Sequence, residues 1–327
     1  MVEGTRPGEA DWERRPGLPL ISSGKHRRAL GRIRAVLSVA AVVTVFGFFA
    51  GHVVQNLDML RQAWQPVSWF HLLLALIVHS ASFFLMALLW YGLLRAMGGT
   101  LPLPVAIRYY GLTLLPRYVP GMVWGYAGRA LLCERQGVPR KVAVGSAVVE
   151  VGFLAGSALA LTIAKHVGIQ WVAAASILGG LPLVRAALPR KRGAQDWESL
   201  VHKASAWSVI ALAYMAFWLL YGASTWLAAL SIAPTLSSAQ AIDIVFSAIT
   251  AWLVGFLVIL VPSGLGVREA MLAMSTAPVL GLTGGVFLSL VARLIGFLAE
   301  LLFSLFSITL GRATLAHDIT MQSTLEG

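Results

Sequence analysis

Three charged side chains lie deep inside long apolar runs of the sequence. Glu150 is the ninth residue of the run 142–164, and Arg293 and Glu300 lie in the run 285–311. A charge near the middle of a membrane helix costs about 2.5–3.5 kcal/mol on insertion scales, so each of these residues needs a partner or water. Arg293 and Glu300 are seven positions apart, which puts them on one helix face about 10 Å from each other. We therefore expect both to face the interior of a helix bundle without pairing directly.

Two segments rich in proline and glycine interrupt the apolar runs. The first, 101–132, contains four prolines, and proline breaks a helix because it removes a backbone donor. Broken backbone at membrane depth persists only where it is buried in protein or lines a wet cavity. We predict two half-helices in this segment, at about 104–115 and 121–132, which dip into the membrane from the cytoplasmic side. The second break, 262–266, directly precedes Arg268 and a glutamate.

Each break is followed by arginine, and paired interrupted segments in two halves of a sequence point to the binding site of a transporter. Arginine binds phosphate through two parallel hydrogen bonds, and the first turn of a half-helix presents N–H groups to anions. The sequence therefore favours an anionic headgroup or a lipid-linked phosphate as ligand. The alternative is that the charges form buried ion pairs that fix the helix register. The candidate binding residues are Arg117, Pro120, Gly121, Trp124, Arg129, Glu150, Pro262, Gly264, Gly266, Arg268, Glu269, Arg293 and Glu300.

The elements that must position these residues are membrane helices. Hydrophobic residues make up 58% of the 327 residues, and the mean hydropathy is +0.78. Stretches such as 62–94, 204–242 and 270–292 carry no charge, and about 18 apolar residues suffice to cross a hydrocarbon layer about 30 Å thick. We predict an all-α, polytopic integral membrane bundle of about eight hydrophobic helices with broken, re-entrant half-helices. This composition excludes a water-soluble enzyme, a secreted disulfide scaffold and a free-standing nucleic-acid binder.

The basic residues predict which side of the membrane each loop occupies. The net charge is +11, and basic clusters at 25–34, 135–141 and 190–203 flank apolar runs, as is typical of cytoplasmic loops. We expect a plasma (inner) membrane protein with a cytoplasmic N-terminus. Residues 267–282 either cross the membrane or re-enter it, and crossing, which is favoured, puts the C-terminus inside. The predicted domains are a disordered basic cytoplasmic tail at 1–34, a transmembrane unit at 35–312 and a short C-terminal tail at 313–327.

No pattern in the sequence predicts a cofactor or a metal. It has no Asp-x-Asp pair for a sugar nucleotide, no phosphate-binding loop for ATP and no His-Glu-x-x-His zinc motif. His71 and His79 are eight positions apart on one predicted helix, which is too far for a shared metal ion. Any chemistry would therefore take place inside the membrane without these groups.

Two blocks of the sequence resemble a known family. The blocks are 109–129, which runs from Tyr109 to Arg129, and 261–269, with Glu150 between them. They are similar to those of the lysylphosphatidylglycerol synthase transmembrane-region family, also called flippase-like domain proteins, and the likeness extends over about 35–312. In the synthases this region is thought to move the charged lipid between leaflets, while a separate soluble domain transfers the amino acid. This sequence carries no such domain, so the resemblance implies a translocase-type membrane unit rather than a synthase.

The leading hypothesis is a translocase for an anionic or aminoacylated phospholipid or a lipid-linked precursor. Its arginines would neutralise a phosphate headgroup, and its glutamates would orient those arginines or bind a cationic headgroup. Some stand-alone family members are named as glycosyltransferase-associated or polyprenyl-phosphate-sugar proteins, so the family does not imply one substrate. Two alternatives are a membrane-embedded transferase that uses a polyprenyl-phosphate donor and a non-catalytic scaffold for envelope assembly. The expected partners are a membrane lipid and, as further candidates, envelope-biosynthesis proteins, with the oligomeric state left open.

Overall fold

The computed structural model describes the backbone of residues 67–118, 123–167, 197–258 and 264–325 and the side chains of 67–116, 123–165, 207–258 and 264–310. These ranges contain helices and no strand, and five of the helices are long and apolar enough to cross a membrane. The predicted all-α polytopic bundle is therefore confirmed. Two further apolar runs that the sequence predicts to be spans, 35–54 and 169–188, lie outside the described residues. The helices are α1 (Trp69–Ala96), α2 (Leu103–Leu112), α3 (Trp124–Arg135), α4 (Arg140–Val167), α5 (Trp197–Leu230), α6 (Ser238–Leu257) and α7 (Val267–Leu325).

Two short helices, α2 and α3, form the predicted pair of half-helices. They lie at Leu103–Leu112 and Trp124–Arg135, on either side of a short 3-10 helix at Leu115–Tyr118 that contains Pro116. The ten residues of α2 extend about 15 Å at 1.5 Å per residue, half the thickness of a hydrocarbon layer. This pair therefore has the length of a re-entrant hairpin, as the prolines of the segment predict.

Contacts between helix termini define two ends of the bundle. The backbone N–H of Ser68 donates to the carbonyl of Ser231 (3.0 Å), and Lys165 lies 3.1 Å from Asp243 in the early turns of α6. We call this end the Ser231 end. At the opposite end, Met97 packs against Gly145 near the start of α4, and we call this the Met97 end. The basic residues around 135–141 lie at the Met97 end, which the charge pattern predicts to be cytoplasmic.

The long helix α7 is a hairpin of two antiparallel arms. Gly281 (φ 71°, ψ 163°) interrupts it, and we call 267–280 the first arm and 282–310 the second arm. Gly285 of the second arm packs against Thr276 of the first. Leu280 packs in a cluster with Leu230, so the turn between the arms lies at the Ser231 end. The helical backbone continues through the predicted C-terminal tail as far as Leu325.

The lengths of the two arms place the first turn of α7 inside the bundle. The first arm spans 14 residues, about 21 Å, which is shorter than a hydrocarbon layer. The second arm runs parallel to α1 toward the Met97 end, since Gly296 lies beside His79 and the ring centroid of Phe303 lies 4.9 Å from that of Phe84. Near the middle of α1, Ser304 Oγ donates to the carbonyl of Gly111 in α2 (3.0 Å).

Candidate functional site

The break between α6 and α7 depends on glycine. Gly264 (φ 66°) and Gly266 (φ 79°) adopt left-handed backbone conformations that other residues rarely take. A Cβ added to Gly264 would also lie 2.9 Å from the carbonyl oxygen of Gly255 in α6. The chain therefore folds back closely on α6, and Arg268 and Glu269 enter the bundle in the first turn of α7.

A cavity lies between α1, α5, α6 and the two arms of α7, and we call it the charged cavity. It has a volume of about 60 Å³. A buried water needs about 10–15 Å³ on this measure, so the charged cavity has room for a few water molecules. Its polar lining comprises Arg268, Glu269, Arg293 and Glu300 together with His79, Ser82, Tyr221 and Ser289.

Glu269 and Arg293 connect the two arms of α7 beside the charged cavity. Glu269 Oε1 lies 3.5 Å from Arg293 Nε, and the two side chains are only 12% and 10% exposed. Glu269 Oε2 also accepts a hydrogen bond of 2.6 Å from the backbone N–H of Gly266. The carboxylate of Glu269 therefore stabilises both the start of the first arm and its packing against the second.

Arg268 reaches the charged cavity from the same helical turn. Its Nη2 donates a hydrogen bond of 2.5 Å to the hydroxyl of Tyr221 in α5, and its guanidinium carbon lies 5.9 Å from the centroid of the Tyr221 ring. No carboxylate in the part of the chain that the structure describes lies within 4.0 Å of the Arg268 guanidinium. This arginine can therefore take an anion from outside the protein.

His79 and Glu300 also line the charged cavity. Both side chains are buried, at 5% and 4% exposure. His79 Nδ1 lies 3.1 Å from Ser224 Oγ, and His79 Nε2 lies 3.4 Å from the point where a Cβ on Gly296 would stand. The small residue at 296 thus lets the second arm approach the imidazole of α1.

Arg129 and Glu150 form a second group, which we call the buried ion pair. Arg129 Nη2 contacts Glu150 Oε2, and the two side chains are 4% and 0% exposed. The hydroxyl of Tyr110 donates to Glu150 Oε1 (2.8 Å). The Arg129 guanidinium lies 4.5 Å from the ring centroid of Trp90 and 4.4 Å from that of Tyr110, where both aromatic faces stabilise the cation. The buried ion pair therefore fastens the re-entrant hairpin to α1 and α4.

An aromatic wall separates the buried ion pair from the charged cavity. Phe303 of the second arm lies 6.4 Å from Tyr110 and 6.3 Å from Phe83, ring centroid to centroid, and Phe83 lines the charged cavity. The sequence predicts one pocket for all the charges, whereas the structure places Arg129 and Glu150 on the far side of this wall. The charged cavity then holds two arginines and two glutamates, so its lining is balanced in charge rather than electropositive.

The remaining candidate residues lie away from the charged cavity or outside the description. Trp124 is 47% exposed at the start of α3 and does not line the cavity. The backbone of Arg117 belongs to the 3-10 helix, whereas its side chain is not described. Pro120, Gly121 and Pro262 lie outside the described residues. Within the described ranges, no group of three or more His, Cys, Asp or Glu residues could hold a metal ion.

Sequence reasoning missed His79 and Tyr221 as cavity residues. Both are polar aromatic residues inside charge-free apolar runs, and a polar side chain in such a run more often faces the protein than the lipid. That pattern is the signal that could have found them. Their partners, Ser224 and Arg268, are far away in sequence and become neighbours only through helix packing.

Three comparisons with known proteins gave one match, to a family of membrane proteins. A search of curated proteins and a search of solved structures found no match. The family model described as "Lysylphosphatidylglycerol synthase TM region" matches residues 35–304, which is most of the chain and includes both breaks. With its apolar helices, this match makes the chain a multi-pass membrane protein with a function related to membrane lipids. The chain belongs to the lysylphosphatidylglycerol synthase TM region family.

Proposed function

We propose that this protein moves a phospholipid or a lipid-linked phosphate between the two leaflets of the plasma (inner) membrane, with its N-terminus in the cytoplasm. The headgroup binds in the charged cavity. The observation that carries this proposal is the convergence of four charged side chains, two from each arm of α7, on one cavity inside a bundle of membrane helices. Ionisable residues are costly at this depth and characteristically mark substrate pathways.

Arg268 is the proposed site for the phosphate of the headgroup. It lies in the first turn of α7, and its described contacts are with a tyrosine rather than a carboxylate. The start of the helix already has a carboxylate, since Glu269 Oε2 accepts a hydrogen bond from the backbone N–H of Gly266. The phosphate is therefore bound through charge-assisted hydrogen bonds from the Arg268 guanidinium.

The two carboxylates of the charged cavity favour a headgroup that also carries an ammonium group. Glu269 and Glu300 line the same cavity as Arg268, and a purely anionic headgroup would meet both negative charges. A headgroup with a phosphate and an amine complements both signs of charge. Among the substrates that the sequence suggests, this favours an aminoacylated or otherwise amine-bearing phospholipid.

Binding requires the charged cavity to widen. Its volume of about 60 Å³ is smaller than the roughly 300–1,000 Å³ of ordinary ligand sites. The glycines at 264, 266 and 281 flank the first arm, so this arm is the element that can move as a unit. Transport would then expose the charged cavity to each leaflet in turn, as in transporters with broken helices.

Leaflet exchange in proteoliposomes tests the proposal. The purified protein is reconstituted with fluorescent phosphatidylethanolamine, phosphatidylglycerol or lysyl-phosphatidylglycerol, and exchange is measured by quenching of the outer leaflet. We expect faster exchange than in empty liposomes, with amine-bearing headgroups ahead of phosphatidylglycerol. Arg268→Gln should slow exchange at least tenfold, because a hydrogen bond to a charged group contributes about 1.5–3 kcal/mol and each 1.4 kcal/mol is a factor of ten.

Arg140→Gln is the matched control, since Arg140 is 83% exposed and lies 3.7 Å from Glu134. It should leave the exchange rate unchanged. Equal exchange rates for Arg268→Gln and Arg140→Gln would show that the headgroup does not pass through the charged cavity. A new lipid product, found when a polyprenyl-phosphate donor is added, would instead support the transferase. If the protein neither speeds exchange nor forms a product, the remaining hypothesis is the non-catalytic scaffold for envelope assembly.

A further inference from the structure

The two arms of α7 enclose a second, apolar space, which we call the interarm cleft. It has a volume of about 300 Å³, within the range of small-ligand sites. Its walls are aliphatic apart from one glutamate and one serine. The side chains that face it include Ala270 and Met274 of the first arm and Leu282, Val286 and Leu290 of the second.

The interarm cleft opens to the outside of the bundle. Met274 and Leu282 at its rim are 67% and 63% exposed, and both lie on a helix long and apolar enough to cross a membrane. In the membrane these positions face lipid. The cleft is therefore accessible to an apolar chain from the bilayer without passage through water.

The interarm cleft adjoins the charged cavity. Glu269 and Ser289 line both spaces, and the Glu269–Arg293 contact stands at their boundary. A molecule that occupies both spaces would place a charged group among the arginines and glutamates and an apolar chain between the arms. A phospholipid joins those two chemistries in one molecule.

We propose that the interarm cleft holds one acyl chain of the lipid whose headgroup occupies the charged cavity. This inference rests on the proposed function. It adds that the protein binds the apolar part of the lipid as well as its headgroup. A helix of a second chain does not fit, because a helix is about 10–12 Å across with its side chains and the arms remain in contact at Gly285 and Thr276.

Because Glu269 and Ser289 line both spaces, an acyl chain in the interarm cleft affects how the headgroup binds in the charged cavity. An acyl chain between the arms holds the lipid next to the charged cavity while the headgroup exchanges its partners. It also separates the arms, which widens the boundary at Glu269. The interarm cleft therefore couples the presence of a lipid tail to the opening that the headgroup requires.

Photolabelling tests this assignment. The protein is reconstituted with phosphatidylethanolamine that carries a diazirine in one acyl chain, irradiated, and mapped by peptide mass spectrometry. We expect residues that face the cleft, such as Val286 and Leu290, to be labelled at least fivefold more than Leu298 and Leu302, which are 37% and 50% exposed. Ala270→Trp, at an exposed position of the wall, fills the cleft and should reduce that labelling at least fivefold.

Two further variants keep the outcome interpretable. Met274→Trp fills the cleft from its rim and should act like Ala270→Trp, even if one of the two folds poorly. Leu294→Trp adds the same bulk at a position that is 47% exposed and lines neither space, and labelling should stay unchanged. Equal labelling of the cleft and of the outer helix faces would overturn the assignment, as would labelling that survives both cleft-filling variants.

Failure of this inference is distinct from failure of the proposed function. The cleft could be labelled, and Ala270→Trp could abolish that labelling, while the protein does not speed leaflet exchange. That result would support the acyl-chain site and contradict the translocase. Exchange that is normal in Ala270→Trp and Met274→Trp would keep the translocase and reject the acyl-chain site. Protein–protein crosslinks at Met274 instead of lipid adducts would show that a second chain occupies the cleft, and would also reject it.

Discussion

Glu150 has the most completely buried charge in the ion pairs of the described residues, and its contacts identify a structural role. Its carboxylate is satisfied by Arg129 and Tyr110, and a wall of aromatic rings separates it from the charged cavity. Removal of one member of a buried pair leaves the other charge uncompensated, which typically costs about 3–5 kcal/mol. Glu150→Gln should therefore lower the free energy of unfolding by about that amount, measured by thermal unfolding in detergent.

Glu134→Gln is the matched control for the buried ion pair. Glu134 is 30% exposed and lies 3.7 Å from Arg140, and such surface pairs are worth about 0–1 kcal/mol. Replacement of both Arg129 and Glu150 by methionine should recover much of the stability that Glu150→Gln loses, because no charge is then left buried. Normal stability in Glu150→Gln would contradict the structural role.

For single residues, the sequence predicts which charged side chains are buried better than it predicts their partners. The depth of Glu150, Arg293 and Glu300 in apolar runs is visible from position alone, because charges are rare there. The partners of Glu150 lie on two half-helices, and the partner that the structure gives Arg293, Glu269, lies on the other arm of a hairpin. Such pairings are set by helix packing, which hydropathy does not encode.

The first arm of α7 is the element on which the charged cavity and the interarm cleft both depend. Gly281 connects it to the second arm at φ 71° and ψ 163°, a conformation that is essentially restricted to glycine and costs other residues about 1–3 kcal/mol. A Cβ at this position would meet no atom within 4 Å, so the cost is backbone strain alone. Gly281→Ala should lower the unfolding midpoint in detergent and slow leaflet exchange.

Gly156→Ala provides the comparison for Gly281→Ala. Gly156 lies inside α4, and a Cβ there also meets no atom within 4 Å. Alanine in a regular helix is favoured over glycine by about 0.5–1 kcal/mol, so this variant should be equally stable or more stable. If the two glycine variants shift the midpoint alike, the turn at Gly281 is not under the constraint that the structure indicates.

The broken elements are predictable where proline enforces them. Half-helices at about 104–115 and 121–132 are expected from the prolines, and they are found at Leu103–Leu112 and Trp124–Arg135. The sequence also separates 267–282 from the run 285–311, and that boundary is close to the turn that the structure has at Gly281. The sequence does not predict the positive φ of Gly281 or the interarm cleft, because both arise from the packing of the two arms.

For the whole molecule, we expect one part that stays fixed and one that moves during transport. The buried ion pair holds the re-entrant hairpin against α1 and α4, while the arms of α7 border two adjacent spaces, one charged and one apolar. Hydropathy predicts the membrane bundle because a span needs about 20 apolar residues. It does not predict the separation of the charges into two groups, since that depends on where Phe303 packs between them.

In the proposed transport cycle, water and headgroups reach the charged cavity from each side of the membrane in turn. Ser289 lines both the charged cavity and the interarm cleft, and the only native cysteine is the buried Cys133. The measurement is the rate at which Ser289→Cys, in a Cys133→Ala background, reacts with a membrane-impermeant cationic thiol reagent added to either side of reconstituted vesicles. Leu302→Cys, at a position that is 50% exposed on the outer face of the second arm, is the control for a lipid-facing position. We expect Ser289→Cys to react from both sides, at least tenfold faster than Leu302→Cys. Reaction from neither side, or from one side alone, would show that the charged cavity does not open to both leaflets.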